Sequence, residues 1–260
     1  VIRTSDFDAV ITPYFNRKWM VERLPKDVVR IIDTHDCQSQ RTRSFARHNL
    51  VPTFHMSPDQ EAAELEYYDM ALALSDEDAR EFTAFSQMPI VTAPPRLPIR
   101  DVAALREVYR LPVSNRDLLF IAADSDVNRL TLAFLLTEIL PLVGVDVTLN
   151  IVGNVEVPER TLPENVSLVR HENVQDLVPI YTQCALAVNP TYAGGGVKMK
   201  TLEALCFGVP VLTTDEGARG LRNLIPEVLI ANDKETFAFR IRQLLASPEL
   251  RTRLGRQQID

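Results

Sequence analysis

The chain has 260 residues, 46% of them hydrophobic and 24% charged, and a formal net charge of -7 at pH 7. This composition is typical of a folded globular protein and excludes disordered and fibrous chains, while the negative charge argues against a general nucleic-acid binder. Since domains usually hold roughly 100 to 200 residues, the length predicts one complete domain and one partial one.

Strand-like runs alternate with helical patterns along the first third of the chain. Strands are predicted at residues 9–12, 28–33, 70–74 and 90–92. Ser57 and Gln60 have the spacing of a capping box with Pro58 at the first helical position, and Ser75 begins another helix in similar fashion. This alternation predicts an α/β fold, in which helices cover parallel sheets.

A proline-rich stretch interrupts the alternation. Residues 93–99, APPRLPI, hold three prolines without helical periodicity, which is typical of an extended connector. We therefore predict a partial N-terminal Rossmann-like domain at 1–95 and a C-terminal Rossmann-like domain at 96–260. The first domain has too few strands to be complete, and no glycine turn follows its first strand.

The alternation resumes after the connector. The predicted elements are a helix near Asp101–Arg110, strands at 118–121, 147–152, 166–169, 185–189, 209–213 and 228–230, and a last helix at 235–246. This order of elements predicts a nearly complete Rossmann-like domain.

Glycine is concentrated in one part of this second domain. Six of the nine glycines lie within residues 194–220, and none precedes Gly144. Three of them, at 194–196, join a strand-like run to a helical run that begins near Lys198, and a strand, a glycine loop and a helix N-terminus form an anion site. Met199 stands where a P-loop or a dinucleotide fingerprint needs a small residue, so neither an NTPase nor an NAD enzyme is favoured.

Two lysines occupy the first turn of that predicted helix, where the helix dipole disfavours cations. A diphosphate held by the amides of Gly195 and Gly196 and by Lys198 or Lys200 would reverse this effect. The alternative is a solvated pair of lysines, one of them bonded to Glu203.

Glu203 is the acidic residue of an otherwise apolar helical run, so its carboxylate should have a partner. Ribose offers two adjacent hydroxyls that a carboxylate can accept together. A second loop, at 215–220, follows the next strand. Both loops therefore open at the carboxyl edge of the sheet, where open α/β sheets bind ligands.

The segment TYAGGGVKMKTLEALCFGVPVLTTDEGARGL resembles the sugar-nucleotide-binding segment of GT-B glycosyltransferases, in particular the large retaining group related to family 4. The likeness continues through FIAADSDVNRLTLAFLLTEILP, TLNIVGN and VSLVRHENVQDLVPIYTQCALAVNP, and it covers residues 117 to about 222. Upstream, IIDTHDCQSQR and EYYDMALALSDEDAREF resemble the later half of the group's N-terminal domain. The resemblance implies two Rossmann-like domains that face a cleft, the first of them incomplete.

The resemblance also implies roles for individual residues. Glu203 matches the second glutamate of the family's paired-glutamate motif and would bind the donor ribose, whereas Gly195 stands at the place of the first glutamate. Lys200 would pair with the diphosphate, with Lys198 as its near alternative. The residues expected to bind the donor are Gly194, Gly195, Gly196, Lys198, Lys200, Thr201, Glu203, Glu216, Gly217, His171 and Asn173.

Residues 33–36, Asp-Thr-His-Asp, follow a predicted strand and are expected to face the cleft. Similar positions in the family hold a histidine near the reacting sugar, so His35 is expected to position substrate or leaving group. Asp36 would act as a base if the reaction inverts configuration, and His35, Asp36 and Lys200 are the candidate catalytic residues. Alternatively, the cluster only caps the next helix, with Asp36 as its N-cap.

Asp124-Ser125-Asp126 has the form of the DxD motif of metal-dependent GT-A glycosyltransferases. We favour a simpler interpretation, in which Ser125 or Asp126 is the N-cap of the following helix. We therefore expect no metal site, and Cys37, Cys184 and Cys206 also lack metal-ligand spacing.

The resemblance implies a glycosyltransferase, retaining and metal-independent as in its group, that uses a nucleotide-diphosphate sugar and needs no cofactor. The expected acceptor is a glycan, a lipid-linked glycan or a small molecule. The alternative is a nucleotide-sugar-binding module without transferase activity. We expect a cytoplasmic protein and no nucleic-acid partner. Contact with the inner face of a membrane, the oligomeric state, the sugar and the nucleobase stay open.

Overall fold

The computed structural model describes residues 7–15, 18–51, 54–98, 116–158 and 162–257. The chain divides into two compact units, one comprising Val1–Arg96 and Ala193–Val197, the other Leu97–Tyr192 and Lys198–Asp260. The helix predicted near Asp101–Arg110 lies outside the described residues.

The first unit is built on a parallel sheet whose described strands follow chain order, β1-β2-β3-β4. Its elements are β1 (Ala9–Pro13), α1 (Lys18–Val21), β2 (Val29–Asp33), α2 (Gln38–Arg47), α3 (Pro58–Leu65), β3 (Met70–Ala73), α4 (Asp76–Thr83) and β4 (Ile90–Thr92). The four predicted strands are confirmed to within two residues. Ile32, Leu65, Ala71 and Phe82 are buried in the core that packs on this sheet.

Helix starts in the first unit are stabilised in two different ways. The capping box of Ser57 and Gln60 is present, as predicted. For α2, the alternative interpretation of Asp36 as the N-cap is wrong: Cys37 holds that position without a side-chain bond. The carboxylate of the fully buried Glu61, on α3, accepts instead from the amides of Gln38 at 2.7 Å and Ser39 at 2.8 Å. It thereby satisfies two amides that have no partner within the helix.

The second unit is a five-stranded parallel sheet of order β7-β6-β5-β8-β9. Its elements are β5 (Asp117–Ile121), α5 (Asp126–Phe134), a π-helical turn (Leu135–Ile139), α6 (Leu140–Val143), β6 (Val147–Val152), β7 (Val166–His171), α7 (Val178–Gln183), β8 (Leu186–Asn189), α8 (Met199–Cys206), β9 (Val211–Thr213), two 3-10 turns (Arg222–Leu224 and Glu227–Leu229), α9 (Lys234–Ala246) and α10 (Pro248–Gln257). Counted within the unit, the order is 3-2-1-4-5, that of a doubly wound Rossmann-like sheet. Such a sheet reverses its winding between its first and fourth strands, here β5 and β8, and ligands bind in the crevice at that switch point.

The strand predicted at residues 228–230 of the second unit does not form. Residues 227–229 form a 3-10 turn, because the amide of Leu229 donates to the carbonyl of Pro226 at 2.8 Å. Only Ile230 then reaches the sheet, through an isolated bridge to Thr213. Leu229 and Ile230 are therefore buried without forming a strand, and Val228 is half-buried.

Strand β5 lies at the centre of the second sheet. Leu118, Leu119 and Phe120 are at most 1% exposed, as expected for a strand covered on both faces. Ser125 caps the following helix by accepting from the amide of Asn128. None of the described helices is long and apolar enough to cross a membrane.

Candidate functional site

Lys200 lies at the switch point of the second unit. It stands in the first turn of α8, and its Nζ donates to Oδ1 of Asn128, on α5, at 2.7 Å. The same Nζ lies 4.9 Å from the ring centroid of Phe120, on β5. Burial, with a smaller contribution from the charge of Lys198, lowers the pKa of Lys200 to about 8. A cation thus spans the crevice where ligands bind in folds of this type.

Two hydrogen bonds besides the one to Lys200 hold Asn128 in place. Its Nδ2 donates to the carbonyl of Ala123 at 2.8 Å, and its backbone amide donates to the Ser125 hydroxyl at 3.3 Å. The amide oxygen is therefore the atom left to accept from Lys200. Asn128 is neutral, so this contact orients the ammonium group and leaves its charge uncompensated.

Lys198 differs from Lys200 in having a charged partner. Its Nζ lies 2.8 Å from Oε1 of Glu216, and the two side chains are 12% and 17% exposed. Among the described side chains, Lys200 has no ion pair. The sequence left the two lysines as alternatives, and the structure distinguishes them by this pairing.

Thr201 and Gly217 belong to a buried polar network at the carboxyl ends of β8 and β9. The Thr201 hydroxyl donates to the carbonyl of Gly217 at 2.9 Å and accepts from Nδ2 of Asn189 at 2.9 Å. A Cβ on Gly217 would lie 2.0 Å from Oγ1 of Thr213, so a side chain does not fit there. The network ties the loop at 215–217 to the first turn of α8.

Glu203 lies one turn after Lys200, and residues three apart on a helix are neighbours on its surface. Its Oε2 accepts from the hydroxyl of Tyr181 at 3.0 Å. Burial raises the pKa of Glu203, and the bond from Tyr181 opposes that shift. Glu203 is one of the residues that line a pocket of about 220 Å³. The pocket is lined by Leu97, Pro98, Gln175, Asp176, Leu177, Val178, Glu203, Cys206 and Phe207.

The residues predicted to lie near the nucleobase are at the end of β7 and just beyond it. Nε2 of His171 is 2.9 Å from Oδ1 of Asn150, and Asn173 is exposed with a positive φ of 55°. Neither residue lines the pocket beside Glu203. Residues 175–178 do, and sequence reasoning did not select them. The signal that could have found them is their position in the loop after β7 and at the start of α7, at the same edge of the sheet.

The glycine loop, Gly194–Gly196, belongs to the first unit and packs on α2 and the residues before it. The amide of Gly194 donates to the Ser44 hydroxyl at 3.1 Å. A Cβ on Gly195 would lie 2.8 Å from Cβ of Arg41, and one on Gly196, whose φ is +62°, would lie 2.7 Å from Cβ of Asp36. This approach requires residues without side chains.

His35 and Asp36 lie at the carboxyl end of β2. The His35 ring stacks on Tyr14 with centroids 4.1 Å apart, and its Nε2 is 3.5 Å from Oδ2 of Asp33. His35 has a positive φ of 58°, an uncommon conformation for a residue with a side chain. Asp36 accepts from the Gln38 side-chain amide and lies 3.7 Å from the guanidinium of Arg41.

The two aspartates of the DxD sequence share one cation. Asp124 lies 2.6 Å from the Arg129 guanidinium, and Asp126 contacts the same group. Within the described parts of the chain, no three His, Cys, Asp or Glu side chains are grouped so that they could hold a metal ion.

Residues 115–247 match the family model of the Glycosyl transferases group 1, about half of the chain. The chain belongs to this family.

Solved structures with a similar fold are GT-B glycosyltransferases. TarM has a TM-score of 0.75 at 14% identity, with 96% of this chain and 50% of TarM covered. Sucrose-phosphate synthase from Thermosynechococcus elongatus has a TM-score of 0.71 at 19% identity, with coverages of 97% and 68%. Anabaena HepE in complex with UDP and glucose has a TM-score of 0.68 at 13% identity, with coverages of 97% and 72%. These likenesses show the GT-B fold.

The chain spans half the length of TarM. A search of curated proteins finds no significant match.

Proposed function

We propose that this chain carries the donor-binding part of a glycosyltransferase, which transfers a sugar from a nucleoside-diphosphate sugar to an acceptor. The observation that carries the proposal is Lys200: a partly buried ammonium group at a helix N-terminus and at the switch point, held by a neutral amide. Burying a charge without a counterion is unfavourable, as the lowered pKa of Lys200 records. A diphosphate placed there would supply the missing negative charge and would also meet the positive end of the α8 dipole.

UDP is the nucleotide we propose to test first. The solved structures with this fold include S. aureus TarM with UDP and Anabaena HepE with UDP and glucose. The acceptor we propose is a glycan, a lipid-linked glycan or a small molecule. Cys37, Cys184 and Cys206, all within the described residues, form no disulfide, which supports a cytoplasmic location. We include the inner face of a membrane in this proposal.

We further propose that the transfer is retaining and needs no metal ion. During transfer, negative charge develops on the leaving diphosphate, and fixed positive groups lower the energy of that state. Lys200 and the amides at the start of α8 supply such groups. Asp124 and Asp126 already bind Arg129, which disfavours them as metal ligands. His35 would position substrate or leaving group, and Asp36 would serve as a base only in an inverting reaction.

A second candidate function is binding of a nucleotide sugar without transfer. The observation that favours it is Gly195, where the related family has the first glutamate of its pair. A Cβ at this position would lie 2.8 Å from Cβ of Arg41, so the loop in this conformation has no room for a glutamate. A carboxylate contact to the donor sugar is therefore missing from this position.

Calorimetric titration with UDP, GDP and ADP, without added metal, tests donor binding, and a radiolabelled transfer assay then tests the reaction. Lys200→Met should abolish the uncompensated charge and lower kcat/KM by on the order of 100-fold or more. Lys234→Met is the matched control, because Lys234 pairs with Glu138 on the surface of the same unit. Unchanged turnover in Lys200→Met would refute the proposal, and binding without transfer to any acceptor would support the second candidate.

A further inference from the structure

Tyr181 is a buried residue of α7 whose hydroxyl contacts Glu203. Its ring is 1% exposed and stacks on Phe207, with centroids 4.2 Å apart and an interplanar angle of 11°. The hydroxyl donates to Oε2 of Glu203 at 3.0 Å. Burial and the adjacent carboxylate both raise the pKa of Tyr181, so the phenol stays protonated and remains a donor.

The Tyr181 bond uses only one of the two carboxylate oxygens. In the described part of the chain, no donor binds Oε1 of Glu203. Glu203 also lines the pocket of about 220 Å³ described above. A carboxylate held at one oxygen cannot rotate freely, and its second oxygen has no donor among the described residues.

We propose that Tyr181 is a positioning residue, which holds the Glu203 carboxylate so that its second oxygen accepts from the ribose hydroxyls of a bound nucleotide. This inference rests on the proposed function. Its physical basis is preorganisation: the orientation of Glu203 is fixed before the nucleotide arrives, so less conformational entropy is lost on binding. Ring stacking on Phe207 fixes the phenol in turn.

A second consequence concerns the charge of Glu203. Burial favours the protonated carboxyl, and the Tyr181 bond favours the carboxylate. Without that bond, Glu203 takes up a proton at higher pH. Because a protonated carboxyl is a weaker acceptor, ribose binding should then fail at a higher pH than in the unmodified chain.

The test is Tyr181→Phe, which keeps the ring and its stacking and removes only the hydroxyl. UDP and 2′,3′-dideoxy-UDP are titrated against the unmodified chain, Tyr181→Phe, Glu203→Gln and the double variant. We expect Tyr181→Phe to bind UDP roughly five-fold more weakly, the scale of the net contribution of one hydrogen bond, and to bind the dideoxy compound unchanged. The acid limb of UDP binding should move to higher pH. In the Glu203→Gln background, Tyr181→Phe should have no further effect on the preference for UDP over the dideoxy compound.

Tyr68→Phe is the matched control, since it removes a buried phenol hydroxyl from the core of the first unit. It should leave the preference for UDP unchanged, and thermal unfolding of each variant reports on stability separately. The inference is overturned if Tyr181→Phe changes neither the preference for UDP over the dideoxy compound nor the pH at which UDP binding is lost on acidification. So does a preference that survives Glu203→Gln, although UDP binding itself would still support the proposed function. If the unmodified chain binds none of the nucleotides, the proposed function fails first.

Discussion

The affinity for UDP should depend on pH through Lys200. A diphosphate binds the ammonium form, and the pKa of Lys200 in the unliganded chain is about 8. Its charged form is therefore nearly fully populated at pH 7 and is lost as pH rises through 8. If only this form binds, the apparent Kd varies as 1 + 10^(pH − 8), which is about ten-fold weaker binding at pH 9 than at pH 7, or about 1.4 kcal/mol.

Calorimetric titration of UDP across this range measures the effect, and buffers of different ionisation enthalpy count the proton taken up. Terminal phosphates have pKa values of about 6, so the nucleotide itself contributes little above pH 7. Lys200→Arg should bind UDP with a flat profile, because a guanidinium remains charged throughout. Lys200→Met should bind weakly at every pH. An equal affinity of the unmodified chain at pH 7 and 9 would refute this reasoning.

Three further predictions concern neighbouring groups. Asn128→Asp supplies a carboxylate to Lys200, so the pH above which UDP binding is lost should rise above 8, while the affinity at pH 7 falls several-fold. Titrations of UDP at pH 7 and above pH 8 measure both effects, and loss of binding at an unchanged pH contradicts the prediction. Glu61→Gln should destabilise the first unit by about 1 to 3 kcal/mol, because the amides at the start of α2 lose a charged acceptor. Urea unfolding measures this loss, and an unchanged unfolding midpoint contradicts the prediction. Gly217→Ala should lower the free energy of unfolding by about 1 to 3 kcal/mol, since the new Cβ would overlap the Thr213 hydroxyl. Thermal unfolding tests this prediction, and an unshifted transition contradicts it by showing that the loop relaxes.

The sequence predicts the sheets well because buried parallel strands are short apolar runs, as in β5. It fails at 228–230, where the residues are equally apolar but the Pro226 carbonyl accepts from Leu229 and turns the chain. Burial selects apolar residues in both places. Backbone hydrogen bonding to a neighbouring strand decides which apolar run becomes a strand.

Contacts between distant parts of the chain were not predictable. Glu61 caps α2 from more than 20 residues away, and Asn128 and Lys200 are 72 residues apart. Each residue looks ordinary in its local sequence: Glu61 lies in an acidic first turn, and Asn128 follows a serine N-cap. Local patterns explained Ser57 because both partners of a capping box lie within four residues. The candidate lysines and Glu203 were found because their positions follow a glycine loop, whereas the partners that hold them were not.

Those partners support the proposal that α8 binds a nucleoside diphosphate. Lys200 and Glu203 are three residues apart, a spacing at which a lysine and a glutamate commonly pair, with about 5 to 6 Å between their Cβ atoms. They do not pair here, since Lys200 bonds to Asn128 and Glu203 to Tyr181. Both partners are uncharged, so each charged group is oriented without being neutralised. A ligand that satisfies both must present an anion and, about one helical turn away, hydroxyl donors. The diphosphate and the ribose of one nucleotide have this arrangement, whereas inorganic phosphate offers only the first and a free sugar only the second.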